Sequence, residues 1–169
     1  MAVYLDELFE QGEDLDWAVV GAGLRPSAVD MRETLKAQDY LTTVVELAPK
    51  AISANIVSSM VDFLPSDPNT IYEALSDGQI RIVSLTITES GYYIDAATGK
   101  FAADHPEMVK DAKSPDIPAS LFGVLVKALK ARRDLGIDPF TVLSCDNLPG
   151  NGNVSRQTIL GLARLSDPE

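Results

Sequence analysis

The chain has 169 residues, 46% hydrophobic and 23% charged, with a formal net charge of −11. That length and composition suit one ordinary globular domain with a real core. The acidic balance argues against nucleic acid and against an anionic membrane surface, because both are held by Lys and Arg. The acidic start MAVYLDELFEQGEDL is too polar for a signal peptide, and the most apolar run, Leu121 to Leu129, is broken by Lys127 and too short to span a bilayer. A single cysteine, Cys145, excludes an internal disulfide framework and suits a reducing cytoplasm, the expected location.

In chain order, residues 4–11 carry Leu5, Leu8 and Phe9 at helical spacing, with no cap in front of them. Trp17 to Val20 reads as a short strand ending on Gly21-Ala22-Gly23. A helix across 27–38, with Val29, Met31 and Leu35 inward, follows it. Thr42 to Leu47 and Asn55 to Leu64 are rich in β-branched residues and predict strands. Asp67-Pro68-Asn69-Thr70 opens a helix through Leu75, with Asn69 or Thr70 as cap. Arg81 to Ile87 is a nearly continuous apolar run, the pattern of a parallel strand covered on both faces. After a short helix near 106–112 comes the longest, Pro118 to Gly136. It has Leu121, Phe122, Leu125, Val126 and Leu129 on its buried side and Gly136 at its stop. Phe140 to Cys145 is the last buried strand and Val154 to Leu165 the last helix; the tail Ser166-Asp167-Pro168-Glu169 reads as the start of a linker. Strands alternating with helices predict an α/β fold with a mostly parallel sheet.

In such sheets ligands collect at the carboxyl ends of the strands, so three strand ends are candidates. Gly21-Ala22-Gly23-Leu24-Arg25-Pro26 contains a GxG. The third glycine of the dinucleotide fingerprint falls at Pro26, however, so the fingerprint is absent and a tight βα turn is the reading the residues favour. Glu89, after Thr86-Ile87-Thr88, is either a desolvated proton-relay carboxylate or a solvated turn residue. Asn147, in Cys145-Asp146-Asn147-Leu148-Pro149-Gly150-Asn151-Gly152, can bond a substrate oxygen. It can equally belong to an Asx-type turn before a helix capped by Asn151, Asn153 or Ser155. The only histidine, His105, lies in a polar loop, and one histidine among scattered carboxylates makes no metal site. Cys145 reads as a packed core thiol, and Lys127, Lys130, Arg132 and Arg133 as a solvated face near a helix C-terminus.

These segments resemble the long-chain mannitol dehydrogenase family. Tyr4-Leu5-Asp6, Val20 to Arg25, Gln38-Asp39-Tyr40-Leu41, Ile82 to Glu89 and the CDNLPGNG run match it in order over essentially the whole chain. The resemblance implies a Rossmann-like, doubly wound amino-terminal domain that uses NAD or NADP without zinc. It also implies a helical carboxyl-terminal catalytic domain whose lysine is the general base. It places Asn147 as an oxygen-polarising residue and Glu89 near the proton path, with Gly21, Gly23, Leu24, Arg25 and Thr88 beside the cofactor. Pro26-Ser27-Ala28 stands where relatives that prefer NAD tend to carry an acid, which leaves NADP open. The family's first strand, glycine-rich turn and FHRAHQ-like stretch precede the part matching Ala2 to Leu5, so the expectation is an incomplete cofactor domain, 1–169, without its partner domain. The expected function is part of a polyol dehydrogenase acting on a sugar alcohol such as mannitol or on its ketose. The alternative is a non-catalytic truncated α/β module or gene fragment.

Overall fold

The computed structural model describes residues 2–167 and resolves into two units, one up to Asp67 and one from Pro68 onward.

The first unit opens with α1 (Ala2–Glu10) and β1 (Val19–Gly21), then α2 (Ser27–Ala37), β2 (Thr42–Ala48), β3 (Ala51–Val57) and β4 (Met60–Phe63). β1 pairs in parallel with β4, Gly21 beside Phe63, whereas β2 and β3 form an antiparallel hairpin. The sequence reading has no strand over 51–54 and runs one strand through 55–64. The hairpin arises because Ala48 pairs with Ala51 across the two-residue loop Pro49-Lys50. The break at Ser58-Ser59 has its own anchors. Buried Asp6 accepts the Ser58 amide at 2.6 Å and the Ser58 hydroxyl at 2.8 Å, and the Ser59 hydroxyl donates to the Ala2 carbonyl at 3.0 Å. Asp6 thus ties α1 to the point where one strand ends and the next begins.

The inward face of α2 is Ala28, Arg32 and Leu35, not Val29 and Met31, which are 51% and 53% exposed. Val29 and Met31 are two residues apart, so they point to opposite sides of a helix, whereas 28, 32 and 35 share one. Arg32 uses its place there to donate Nε–H to the Phe63 carbonyl at 2.9 Å. Trp17 is half-buried and lies ahead of β1 rather than within it.

The second unit contains α3 (Pro68–Ser76), β5 (Ile82–Leu85), a 3-10 turn (Glu89–Tyr92), α4 (Pro106–Lys113), α5 (Leu121–Leu135), β6 (Thr141–Ser144) and α6 (Asn151–Ser166). α3 starts at Pro68, which puts Asn69 and Thr70 inside its first turn rather than before it. β5 and β6 pair in parallel from Ile82 with Thr141 to Leu85 with Ser144. The parallel α/β class therefore holds, although Ile82 remains 45% exposed, short of the full two-sided cover expected. Phe122, Val124, Leu125 and Ala128 of α5 are fully buried, Leu121, Val126 and Leu129 half-buried. The Ser120 hydroxyl accepts the Gly123 amide at 3.0 Å to cap α5, and Gly136 ends it at φ 69°. Buried Asp111 fixes the entry to α5 by accepting the amides of Ala119 and Ser120.

Two sequence expectations fail here. Arg132 is not on a solvated face but only 2% exposed. Its guanidinium donates to the carbonyls of Leu75, Asp77, Ile80 and Asp138 and lies 4.9 Å from the Phe140 ring. Burial lowers its pKa and the charge of Asp77 opposes the shift. A planar fork with five donors is one of few groups that can satisfy so many carbonyls at the end of a helix. Lys130 and Arg133 do stay at the surface, around Asp167, while Lys127 sits 4.0 Å over the Tyr72 ring. Cys145 is exposed rather than packed, because it is the first residue beyond β6. Of the tail read as a linker, Ser166 closes α6 and 168–169 lie outside the described residues.

Candidate functional site

In the first unit the β1–α2 turn holds Gly21, Gly23, Leu24 and Arg25. A Cβ on Gly21 would stand 2.3 Å from the Phe63 ring, and one on Gly23 would stand 2.8 Å from Ala28 Cβ. Neither glycine has positive φ. Their lack of a side chain lets the turn pack against β4 and α2, so close packing accounts for both. Leu24 is half-buried and Arg25 exposed. No side chain caps α2; the amides of Ala28 and Val29 are taken up instead by the carbonyls of Arg25 and Pro26, at 2.9 and 3.1 Å. What the turn offers an anionic group such as a phosphate is the exposed Arg25 cation.

In the second unit β5 and β6 end side by side, and the structure brings Thr88, Glu89 and Asn147 to that one edge. The connecting group is a residue the sequence reading passed over. Asp146 accepts the Ile87 amide at 2.9 Å, the Thr88 amide at 3.2 Å and the Tyr92 hydroxyl at 2.7 Å. These donors, the Ile87 amide foremost, hold its carboxyl below the usual range. The Tyr92 side chain is fully buried. Its hydroxyl also lies 2.6 Å from Ser144 Oγ, and its carbonyl accepts from Thr158 Oγ1 at 2.5 Å. Burial pushes the Tyr92 phenol up to about 12, with Asp146 adding to the rise.

The backbone there is strained. Thr88 adopts φ 68° and ψ 162°, a region almost reserved for glycine, and a β-branched residue tolerates it least. Such a residue costs about 1–3 kcal/mol and persists only where its surroundings dictate it.

Asn147 is exposed, and among the described residues no protein group bonds its amide. The loop-fixing role belongs to Asn151, whose Nδ2 donates to the carbonyls of Ser144 and Asp146, each at 3.1 Å. Asn151 is the first residue of α6, behind Gly150 at φ 65°, so none of the three proposed caps occupies the capping position. Ser155 is buried and bonds the Asn151 carbonyl. Glu89 opens the 3-10 turn and is exposed, which favours the solvated reading of its position. His105 caps α4, its Nδ1 accepting the Glu107 amide at 3.3 Å. The signal for Asp146 was available in principle, as an Asp at a strand end followed by turn residues. Its partners 58 and 59 residues away were not.

Parallel strands with polar side chains at their carboxyl ends are the arrangement of a ligand-binding α/β domain. Residues 1–168 match the mannitol dehydrogenase Rossmann domain, and the chain belongs to that family. It is 56% identical to mannitol 2-dehydrogenase of Cereibacter sphaeroides over 99% of this chain and 35% of the relative. It is 43% identical to polyol:NADP oxidoreductase of Gluconobacter oxydans, with the same coverage. Among solved structures, Pseudomonas fluorescens mannitol 2-dehydrogenase in ternary complex with NAD and D-mannitol superposes at TM-score 0.93. That match is 42% identical and covers 99% of this chain and 35% of the other. The chain thus spans about a third of the length of these relatives.

Proposed function

We propose that this chain is the cofactor-binding part of an NAD- or NADP-dependent polyol dehydrogenase that interconverts a sugar alcohol such as mannitol and its ketose. The observation that carries the reading is the β5–β6 edge, where an exposed Asn147, its amide unbonded among the described residues, stands beside Thr88 and Glu89 in a chain matched throughout to one dehydrogenase family. The nicotinamide, when bound, supplies the hydride chemistry. The Asn147 amide donates to the substrate oxygen and stabilises charge as it develops there. Glu89, open to solvent, passes protons to and from water. Thr88 orients the cofactor, and Gly21, Gly23, Leu24 and Arg25 receive its adenosine end. With no carboxylate at Pro26-Ser27-Ala28, Arg25 accepts a 2′-phosphate, so both cofactors bind. On this reading no zinc takes part. The proton acceptor for the substrate hydroxyl is a lysine carried by polypeptide outside the matched stretch, and the cytoplasm is the working compartment.

Titrating the purified 169-residue chain with NADH and NADPH tests the nucleotide site. Trp17, two residues ahead of β1, is the only tryptophan, so its emission reports binding through quenching or energy transfer. Saturable change is expected with both cofactors. No change with either at roughly 1 mM, the upper end of ordinary KM values, would sink the reading.

A further inference from the structure

We propose that Asp146 is the positioning residue of this site: by accepting the amides of Ile87 and Thr88 it imposes the left-handed backbone of Thr88 and so sets Thr88 and Glu89 beside Asn147. The proposal rests on the reading of those three residues given above.

Three observations converge on it. Thr88 sits where a β-branched residue is least at ease, and the two backbone amides on its amino-terminal side, its own and that of Ile87, are those that Asp146 receives. The carboxylate itself has little freedom. The Tyr92 hydroxyl donates to one oxygen, while the Asp146 carbonyl accepts from Asn151 Nδ2 and from the Leu148 amide at 2.9 Å. Finally, Asp146 directly precedes Asn147, so one residue's side chain grips the β5 loop while its neighbour's faces solvent. The two loops are thereby set against each other by a single carboxylate. Strain of this kind gathers where a binding geometry has to be prepared in advance. Asp146 touches neither substrate nor cofactor on this account; it acts through Thr88.

An amide cannot replace it. Asn at 146 offers one acceptor oxygen and turns an NH2 toward a second N–H, which leaves that donor unsatisfied. The test compares D146N, T88G and the double variant in the 169-residue chain. Amide hydrogen exchange is read at Ile87 and Thr88, affinity by NADH and NADPH titration, and folding by circular dichroism. D146N is expected to speed exchange at both amides and weaken cofactor binding by about tenfold each, the scale of one or two charge-assisted hydrogen bonds. On the T88G background the same change should cost less than about threefold, because glycine holds that φ without strain. Unchanged exchange at Ile87 and Thr88 in D146N, or an equal loss on both backgrounds, overturns the proposal. If D146N unfolds, recovery of the fold by T88G supports it, and failure of the double variant to fold overturns it. Should the unmodified chain bind neither cofactor, the cofactor reading falls. The exchange comparison would still decide whether Asp146 sets Thr88.

Discussion

Asn147 and Asn151 are four residues apart and have opposite jobs. Asn151 spends its amide on the carbonyls of Ser144 and Asp146 beyond the end of β6, the latter shared with the Leu148 amide, while among the described residues Asn147 spends none on the protein. N151A should therefore lower stability by about 1–3 kcal/mol, the cost of withdrawing a donor from part-buried acceptors. N147A should leave stability within about 0.5 kcal/mol. Urea denaturation of both variants checks this, and a large loss in N147A would make Asn147 a structural residue. The Asp146–Tyr92 pair predicts a pH dependence with two limbs. The pKa of Asp146 is lowered by folding, so its contribution is present above the unfolded value of about 3.9 and is lost as pH falls below it. The pKa of Tyr92 is raised to about 12, so its contribution is full below about 10 and disappears as pH rises toward 12. Denaturation midpoints across pH should show both limbs, with D146N flattening the acid one and Y92F the alkaline one.

Among the elements, α5 depends most on a side chain that composition disguises. Arg132 closes the end of α3 and the turn before β6 by serving four carbonyls from a buried position. R132A withdraws the side-chain donors from all four and should cost about 3–5 kcal/mol, from several buried carbonyls left short of a donor at about 1–3 kcal/mol each. R132K keeps the charge but loses the fork and should recover only part. Guanidinium denaturation separates the three proteins; a loss under 1 kcal/mol in R132A would mean that water replaces the guanidinium. The same residue shows where sequence reading stops. α5 itself was legible, because its apolar spacing, Ser120 and Gly136 are local signals. The fate of Arg132 depends on carbonyls up to 57 residues away, and a basic run near a helix end looks identical whether buried or solvated. Likewise β5 and β6 were legible as apolar runs. The β2–β3 hairpin was not, because Pro49-Lys50 carries none of the glycine or asparagine that marks such turns. Asn147, Glu89 and Thr88 were proposed through an ordered motif, whereas the backbone of Thr88 and the Asp146 contacts beside it are tertiary facts.

For the molecule as a whole, the question is whether these residues can turn over substrate unaided. Removing the hydroxyl proton of a sugar alcohol needs a base with a pKa near neutrality, and such a group is worth about 10²–10⁴ in rate. The two loops at the β5–β6 edge, residues 86–92 and 145–152, contain neither lysine nor histidine. Asp146 is held low by three donors, and His105 has its Nδ1 committed to the α4 cap. Glu89 is exposed on the 3-10 turn. The expected outcome is a chain that binds NADH and NADPH yet forms no reduced cofactor from mannitol above the uncatalysed background, followed by absorbance at saturating NAD or NADP. Turnover by the 169-residue chain would locate the base within it, with Glu89 the first residue to replace. Binding without turnover assigns the amide and the prepared backbone to this domain and leaves the base to the polypeptide that the longer relatives carry beyond it.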